Sequence, residues 1–171
     1  LDAAPGFPVS EGRFGMTATF VPCEQNNKGA IYMVGGSRIE ELLNAFDYDD
    51  IYCVETDNVD QAPIKVGRLS RPRVHHTASL LSATTTSRLF IAGGLDKRDG
   101  TEQGVATAEV FPVSCDCQPI AANDIEIIPL NHRRMLHTAT SLPDGSVLLV
   151  GGRDSDVVER FYPDILPDVL P

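Results

Sequence analysis

Short apolar runs bounded by turn-forming residues recur along the chain. Ala30–Val34 (AIYMV), Arg88–Ala92 (RLFIA) and Val147–Val150 (VLLV) are rich in β-branched and aromatic types and flanked by Gly, Pro, Asp and Asn. Runs of this length and composition predict strands. Pro143-Asp144-Gly145 is a tight turn between two of them, and its glycine takes positive φ at little cost. The Thr-Ala-Thr and Thr-Ala-Ser stretches combine small and β-branched residues that suit crowded, nearly buried strands.

The runs belong to a unit present three times. Arg13–Pro22 (RFGMTATFVP), Arg73–Leu81 (RVHHTASLL) and Arg134–Leu142 (RMLHTATSL) each precede a strand that ends in a glycine pair: Gly35-Gly36, Gly93-Gly94 and Gly151-Gly152. The three arginines are 60 and 61 residues apart, and the first glycines 58 and 58 apart. Each unit then supplies an acid two residues before an aromatic: Asp50 and Tyr52, Glu109 and Phe111, Glu159 and Phe161. Four strands per unit are predicted. They lie near 13–21, 29–35, 48–54 and 62–68 in the first unit, and near 73–81, 87–93, 105–112 and 124–130 in the second. The third has 134–142, 146–151 and 156–162. The units span about 13–70, 71–131 and 132–163, and the Pro-rich tail 164–171 resists ladder pairing. Glu41–Phe46 (ELLNAF) is compatible with one helical turn. One such sheet cannot bury both faces, and radial stacking of four-stranded antiparallel sheets solves this. An all-β propeller of about three blades is therefore expected, belonging to a larger or multi-chain ring.

Composition narrows the function classes. At 171 residues and 42% hydrophobic the chain is too apolar for disorder, and 14 glycines with 12 prolines are too many for a helical bundle. No apolar run is long enough for a membrane helix, so direct membrane insertion is not expected. A net charge of −10 repels phosphate backbones, and Arg68, Arg71 and Arg73 near Lys65 are the only close basic cluster. Nucleic acid is not an expected partner. The even count of four cysteines permits two disulfides and slightly favours an extracellular, cell-surface or periplasmic site over the cytoplasm. Cys115 and Cys117, on one face if in a strand, suit separate disulfides or one metal better than each other. A direct Cys23–Cys53 bridge would need loop excursions.

The unit resembles the kelch repeat, and its third copy is most similar to repeats of galactose-oxidase-type propellers. Arg134, His137-Thr138-Ala139, Leu142–Gly145, Gly151-Gly152, and Glu159 with Phe161-Tyr162-Pro163 carry the resemblance. Arg73, His76-Thr77-Ala78, Gly93-Gly94 and Glu109 with Phe111-Pro112 carry it in the second unit; the first is weaker, with Gly15-Met16. Two departures stand out. Kelch repeats usually place a tryptophan in the outermost strand and this chain has none, so Leu69 and Leu130, or Ile64 and Ile127, must fill that space. Propellers of this type close with about six or seven blades, so blades from the same or another polypeptide are expected to cover both ends. The opening LDAAPGFP reads as the interior of a longer chain, and residues 1–171 alone are expected to self-associate or unfold with low cooperativity.

Candidate sites follow the repeat. His76 and His137 are expected to start innermost strands and bond a neighbouring loop, with a metal or proton-transfer role as the alternative; His75 would face the other side of its strand. Arg13, Arg73 and Arg134 are expected to pair with the recurrent acids as scaffold. The HExxH, GxSxG, P-loop and dinucleotide motifs are absent. A copper radical oxidase would need Tyr32, Tyr48, Tyr52 or Tyr162 with histidines and a cross-linked cysteine, and adjacent Tyr52 and Cys53 point apart. Acidic loops such as Asp47-Tyr48-Asp49-Asp50 do not match the EF-hand pattern, so no metal or cofactor is expected. Long loops between second and third strands carry Arg38, Glu40, Glu41, Asp96, Lys97, Arg98, Asp99, Arg153 and Asp154 on one face. Loops on a rigid scaffold are where recognition resides, so a non-catalytic module binding a protein is the main expectation. The alternatives are the propeller portion of a secreted copper radical oxidase or carbohydrate-active enzyme whose catalytic residues lie largely outside this segment, and the kelch portion of a tRNA-modifying methyltransferase.

Overall fold

A computed structural model of the chain describes residues 13–23, 28–39, 45–81, 87–96 and 103–163. The strands are β1 (Thr17–Pro22), β2 (Gly29–Val34), β3 (Ser37–Ile39), β4 (Ala45–Asp47), β5 (Asp50–Glu55), β6 (Ile64–Arg68), β7 (Thr77–Leu81), β8 (Arg88–Ala92), β9 (Val105–Pro112), β10 (Glu126–Arg134), β11 (Thr138–Ser141), β12 (Val147–Val150) and β13 (Val158–Phe161). They form two four-stranded antiparallel sheets, β1-β2-β5-β6 and β7-β8-β9-β10, and a three-stranded sheet β11-β12-β13. β3 and β4 form a small ribbon. Strand β4 contains Ala45 and Phe46, so they are not in a helical turn; residues 41–44 of that expectation, and the tail 164–171, lie outside the described residues.

Packing explains why the units stack. On β8, Leu89 and Ile91 join a core with Tyr32, Val34 and Ile51 of the first sheet. Phe90 and Ala92 on the opposite face join Val147 and Leu149 of the third. Phe90 and Phe161 stack with ring centroids 4.3 Å apart. The middle sheet thus buries both faces and its neighbours bury one each, which is why every β8 position from Leu89 to Ala92 is apolar.

The sequence predicts strand from each repeat arginine onward, but the three residues after Arg13, Arg73 and Arg134 belong to none of the strands. The first strand of each sheet begins at Thr17, Thr77 or Thr138, because Gly15, His75 and Leu136 take φ of 64°, 57° and 55°. Positive φ breaks an extended run, so His75 lies in this bend and not on a strand face. The bends bond in series: His75 N–H donates to the Gly15 carbonyl (2.9 Å) and Leu136 N–H to the His75 carbonyl (3.1 Å). Just before the bends, Phe14, Val74 and Met135 gather with Leu95 in a third apolar cluster. Arg134 closes β10 beyond a register shift instead of opening the next strand. The Thr-Ala strands are edge strands with one hydrogen-bonded neighbour, so they are less buried than expected, most clearly in β11.

Leu69 and Leu130 are buried, while Ile64 and Ile127 are more than half exposed. Two disulfides, Cys23–Cys115 and Cys53–Cys117, join the first sheet to the β9–β10 connection. Cys115 and Cys117 sit in a turn, not a strand, with Cys117 at φ 53°. That reversal sends the two sulfurs to different partners. The Tyr32 hydroxyl donates to the Ser114 carbonyl (2.9 Å) and accepts from Ser114 N–H (3.1 Å), strengthening the same seam.

Candidate functional site

Each repeat arginine holds the acid of its own unit and the carbonyl of its own first glycine. Arg73 and Glu109 are both fully buried. Arg73 Nε and Nη2 donate to one Glu109 carboxylate oxygen at 3.1 and 2.9 Å, and Nη1 donates to the Gly93 and Thr107 carbonyls at 2.7 Å each. Nη2 also donates to the Thr107 hydroxyl (2.8 Å), and the other Glu109 oxygen accepts from Ser70 N–H (2.7 Å). Burial lowers the Arg73 pKa, and the Glu109 charge opposes it. Arg134 repeats the pattern through Gly151 O (3.1 Å) and Glu159 (3.0 Å), and Arg13 through Gly35 O (3.3 Å) and Asp50 (3.2 Å). Burial would raise the Asp50 pKa, but hydrogen bonds and charge from Lys65 and Arg13 hold it below the ordinary value. These residues are occupied within the fold.

The glycine pairs accept the following unit. A Cβ at Gly35 would stand 2.5 Å from the Arg73 carbonyl oxygen, and one at Gly93 would collide with the Arg134 carbonyl in the same way. Gly36 and Gly94 N–H donate to those carbonyls at 2.8 and 2.9 Å. His76 Nε2 lies 3.0 Å from the Thr17 hydroxyl of the preceding sheet, and His137 Nε2 lies 2.9 Å from that of Thr77. The partner is thus the neighbouring first strand itself. A threonine four residues after each arginine was visible in the sequence, but nothing there assigned it to the next unit's histidine.

Both rings are neutral for a physical reason. Burial, then the nearby Arg73 charge, pushes His76 from 6.5 to about 3, and burial, then Arg134, pushes His137 to about 4. Nδ1 of each ring is buried without a partner, so a second proton there would lack an acceptor. The unfolded chain takes up protons below about pH 6.5 while the fold does not. Stability from these rings is fully present above that pH and is lost as pH falls towards 4 for His137 and 3 for His76. Thermal midpoints measured from pH 7 to 4 should fall less in the His76→Gln/His137→Gln variant than in the parent, and equal slopes would remove the histidines as the cause.

The face with the unit connections carries an open cleft of about 430 Å³, lined by Ser70, Arg71, Asp96, Thr107, Ile127 and Arg133 among others. Asp96 is buried 3.8 Å from Arg71 Nε, while Arg71 is over a third exposed and Arg133 is exposed. The sequence pointed instead to the loop charges. Of those, Asp96 is buried, Arg38 is half-buried on β3, and Asp154 accepts from Gly104 N–H of the preceding unit. Arg153 is exposed, and Glu40, Glu41, Lys97, Arg98 and Asp99 lie outside the described residues. A chain that folds back after the glycine pair must satisfy its backbone, so these aspartates serve the scaffold first. Arg71 and Arg133 were missed because they follow or close strands in the unit connections; their signal was position two before Arg73 and one before Arg134.

The basic cluster is neutralised. Lys65 pairs with Asp50, Arg68 lies 4.0 Å from Asp49 and 3.8 Å from Asp50, and Arg73 is held by Glu109. The tyrosines are likewise committed: Tyr32 to Ser114, and Tyr48 beneath the Arg13 guanidinium at 3.7 Å. Cys53 is in a disulfide and so supplies no thiol for a tyrosine cross-link. Among the described residues no three His, Cys, Asp or Glu side chains cluster as a metal site, and no helix is long and apolar enough to cross a membrane. The two disulfides are consistent with an extracellular or periplasmic, oxidising environment.

No protein-family model matches the chain. It is similar to the tRNA wybutosine-synthesizing protein 4 of Saccharomyces cerevisiae, with 28% identity over 149 residues, covering 80% of this chain and 19% of that protein. The chain therefore spans about a fifth of the length of that relative.

Proposed function

We propose that the chain is a section of a kelch-type β-propeller that acts as a non-catalytic protein-interaction module through the face bearing the Arg71–Arg133 cleft. The observation that carries the reading is a cleft anchored to rigid sheets and lined by two accessible guanidiniums, Arg71 and Arg133, the first 3.8 Å from the buried Asp96 carboxylate. Guanidinium forks favour carboxylates, and the exposed Ile127 beside them adds an apolar contact. An acidic peptide segment fits this chemistry better than a cation or a phosphate backbone. Synthetic acidic peptides with an apolar residue beside the acid are the probe. Arg71→Ser/Arg133→Ser should weaken binding at least tenfold, an amount within reach of two charge-assisted contacts, and Arg133→Ser alone, which leaves Asp96 its Arg71 neighbour, should weaken binding with an unchanged thermal midpoint. Binding that is indifferent to both substitutions would end the reading.

A second reading is favoured by the alignment covering most of this chain: the module is part of a longer polypeptide related to a tRNA-modifying protein. There too the net charge of −10 favours protein contact over RNA contact. Cys53, bonded to Cys117, supplies no cross-link cysteine from this segment, so a copper-oxidase reading rests on residues outside it.

A further inference from the structure

The third sheet repeats the surface on which the first two seat their successors. Its outward side carries Thr138, Leu148, Val150 and Val158, because Thr138 pairs Val150 and Val150 pairs Val158 across the ladder. Val150 and Val158 are exposed, whereas Val34 and Ala92, at the position before the glycine pair in the first two sheets, are buried. A Cβ at Gly151 meets nothing within 4 Å, where the equivalents at Gly35 and Gly93 meet the next unit's carbonyl. Gly152 N–H, the Leu136 carbonyl and the Thr138 hydroxyl have no partner among the described residues. Their counterparts hold an arginine carbonyl, a bend N–H and a histidine.

We infer that this surface seats a further repeat whose first segment reads Arg-x-x-His. The inference rests on the stacked-repeat reading above and supplies the chemistry of the unit that the third sheet accepts. The incoming arginine carbonyl takes Gly152 N–H across the space left by Gly151. The N–H two residues later takes the Leu136 carbonyl, and the histidine reaches the Thr138 hydroxyl. Apolar side chains of its sheet cover Leu148, Val150 and Val158. Rival occupants lack this set. Residues 1–12 and 164–171 contain neither Arg nor His. A second copy docking through its first unit offers Arg13 but places Met16 where the histidine belongs, leaving the Thr138 hydroxyl against a thioether. The Arg-x-x-His segments of the other two units are already occupied inside the chain.

The test is amide exchange at Gly36, Gly94 and Gly152 in the 171-residue chain and in an extended chain. In the latter a second copy of residues 113–163, carrying Cys115→Ser and Cys117→Ser, follows Pro163. That copy supplies a fourth strand for the third sheet and then a new Arg-x-x-His unit. Gly152 should exchange about 100-fold faster than Gly94 in the parent and slow to the Gly94 rate in the extended chain. Replacing the copied His137 with Ala should return about tenfold of that protection. Gly152 still open in an extended chain that protects Gly36 and Gly94 would overturn the inference. So would protection in the parent, from a second copy if it depends on concentration and from the chain's own ends if it does not. If the extended chain does not fold, the probe becomes a synthetic peptide of residues 134–142 added to the parent at millimolar concentration, with its His137→Ala form as control. No slowing at Gly152, or equal slowing by both peptides, would then overturn it. None of these readouts involves Arg71 or Arg133, so failure here is distinct from failure of the cleft.

Discussion

Replacing Glu109 with Gln should destabilise the protein by about 3–5 kcal/mol, the range for leaving one member of a buried ion pair uncompensated. Arg73 and Glu109 have no exposed side-chain surface. Arg73 supplies two of its bonds to Glu109, and the carboxylate also fixes Ser70 N–H at the unit connection. The same change at Glu159 should cost less, since that side chain retains some solvent contact and makes a single bond to Arg134. Arg73→Met should be the most damaging single change, because it strands the Gly93 carbonyl as well as the carboxylate, while the Thr107 carbonyl keeps its bond from Gly93 N–H. For the same reason Arg73→Met/Glu109→Leu should recover only part of the loss: the charge is gone, but the Gly93 carbonyl and Ser70 N–H remain unpaired. Urea titrations of the four proteins measure this. An unchanged midpoint for Glu109→Gln would refute the structural role of the pair.

Removing either disulfide should cost about 4 kcal/mol by the loop-closure argument, since the bridged cysteines are 92 and 64 residues apart. The two pairs should nevertheless separate. Cys53 and Cys117 belong to the core shared by the first two sheets, so Cys53→Ser/Cys117→Ser also buries two hydroxyls among apolar side chains. Cys23 and Cys115 are half-buried, and their serines can reach water. Denaturant midpoints should therefore order as parent, then the Cys23/Cys115 variant, then the Cys53/Cys117 variant. Mild reduction, followed by mass spectrometry of alkylated peptides, should open Cys23–Cys115 first. Simultaneous opening, or the reverse order of midpoints, would contradict the burial argument.

The cleft was legible only in part. The sequence reading places recognition on the face where loops share an end with the unit connections, because strand alternation dictates which loops lie there. It singles out the loop charges, whereas the cleft is lined by Arg71 and Arg133. Exposure of a loop charge depends on what the neighbouring backbone needs, and Asp154 is drawn to Gly104 of the preceding unit. Arg71 and Arg133 carried no motif, only a position beside residues whose role was already evident.

The second and third strands of each unit, the three-fold repeat and the turn at Gly145 were legible in the sequence alone, because alternation, turn chemistry and periodicity are local properties read within a few residues. The match between Arg and acid in each unit was also legible, since every unit has both, the acid always two residues before an aromatic. Tertiary structure decided what local pattern cannot carry. The bends at His75 and Leu136 require left-handed φ from residues that rarely adopt it, and bonding between successive units holds them there. The cysteine partners depend on how two sheets meet, and the turn that separates Cys115 from Cys117 carries no signal of its own in their spacing. His76 and Thr17 are 59 residues apart, and only stacking brings them to 3.0 Å. The sequence specified the sheets; how one sheet closes against the next came from burying both faces of the middle one.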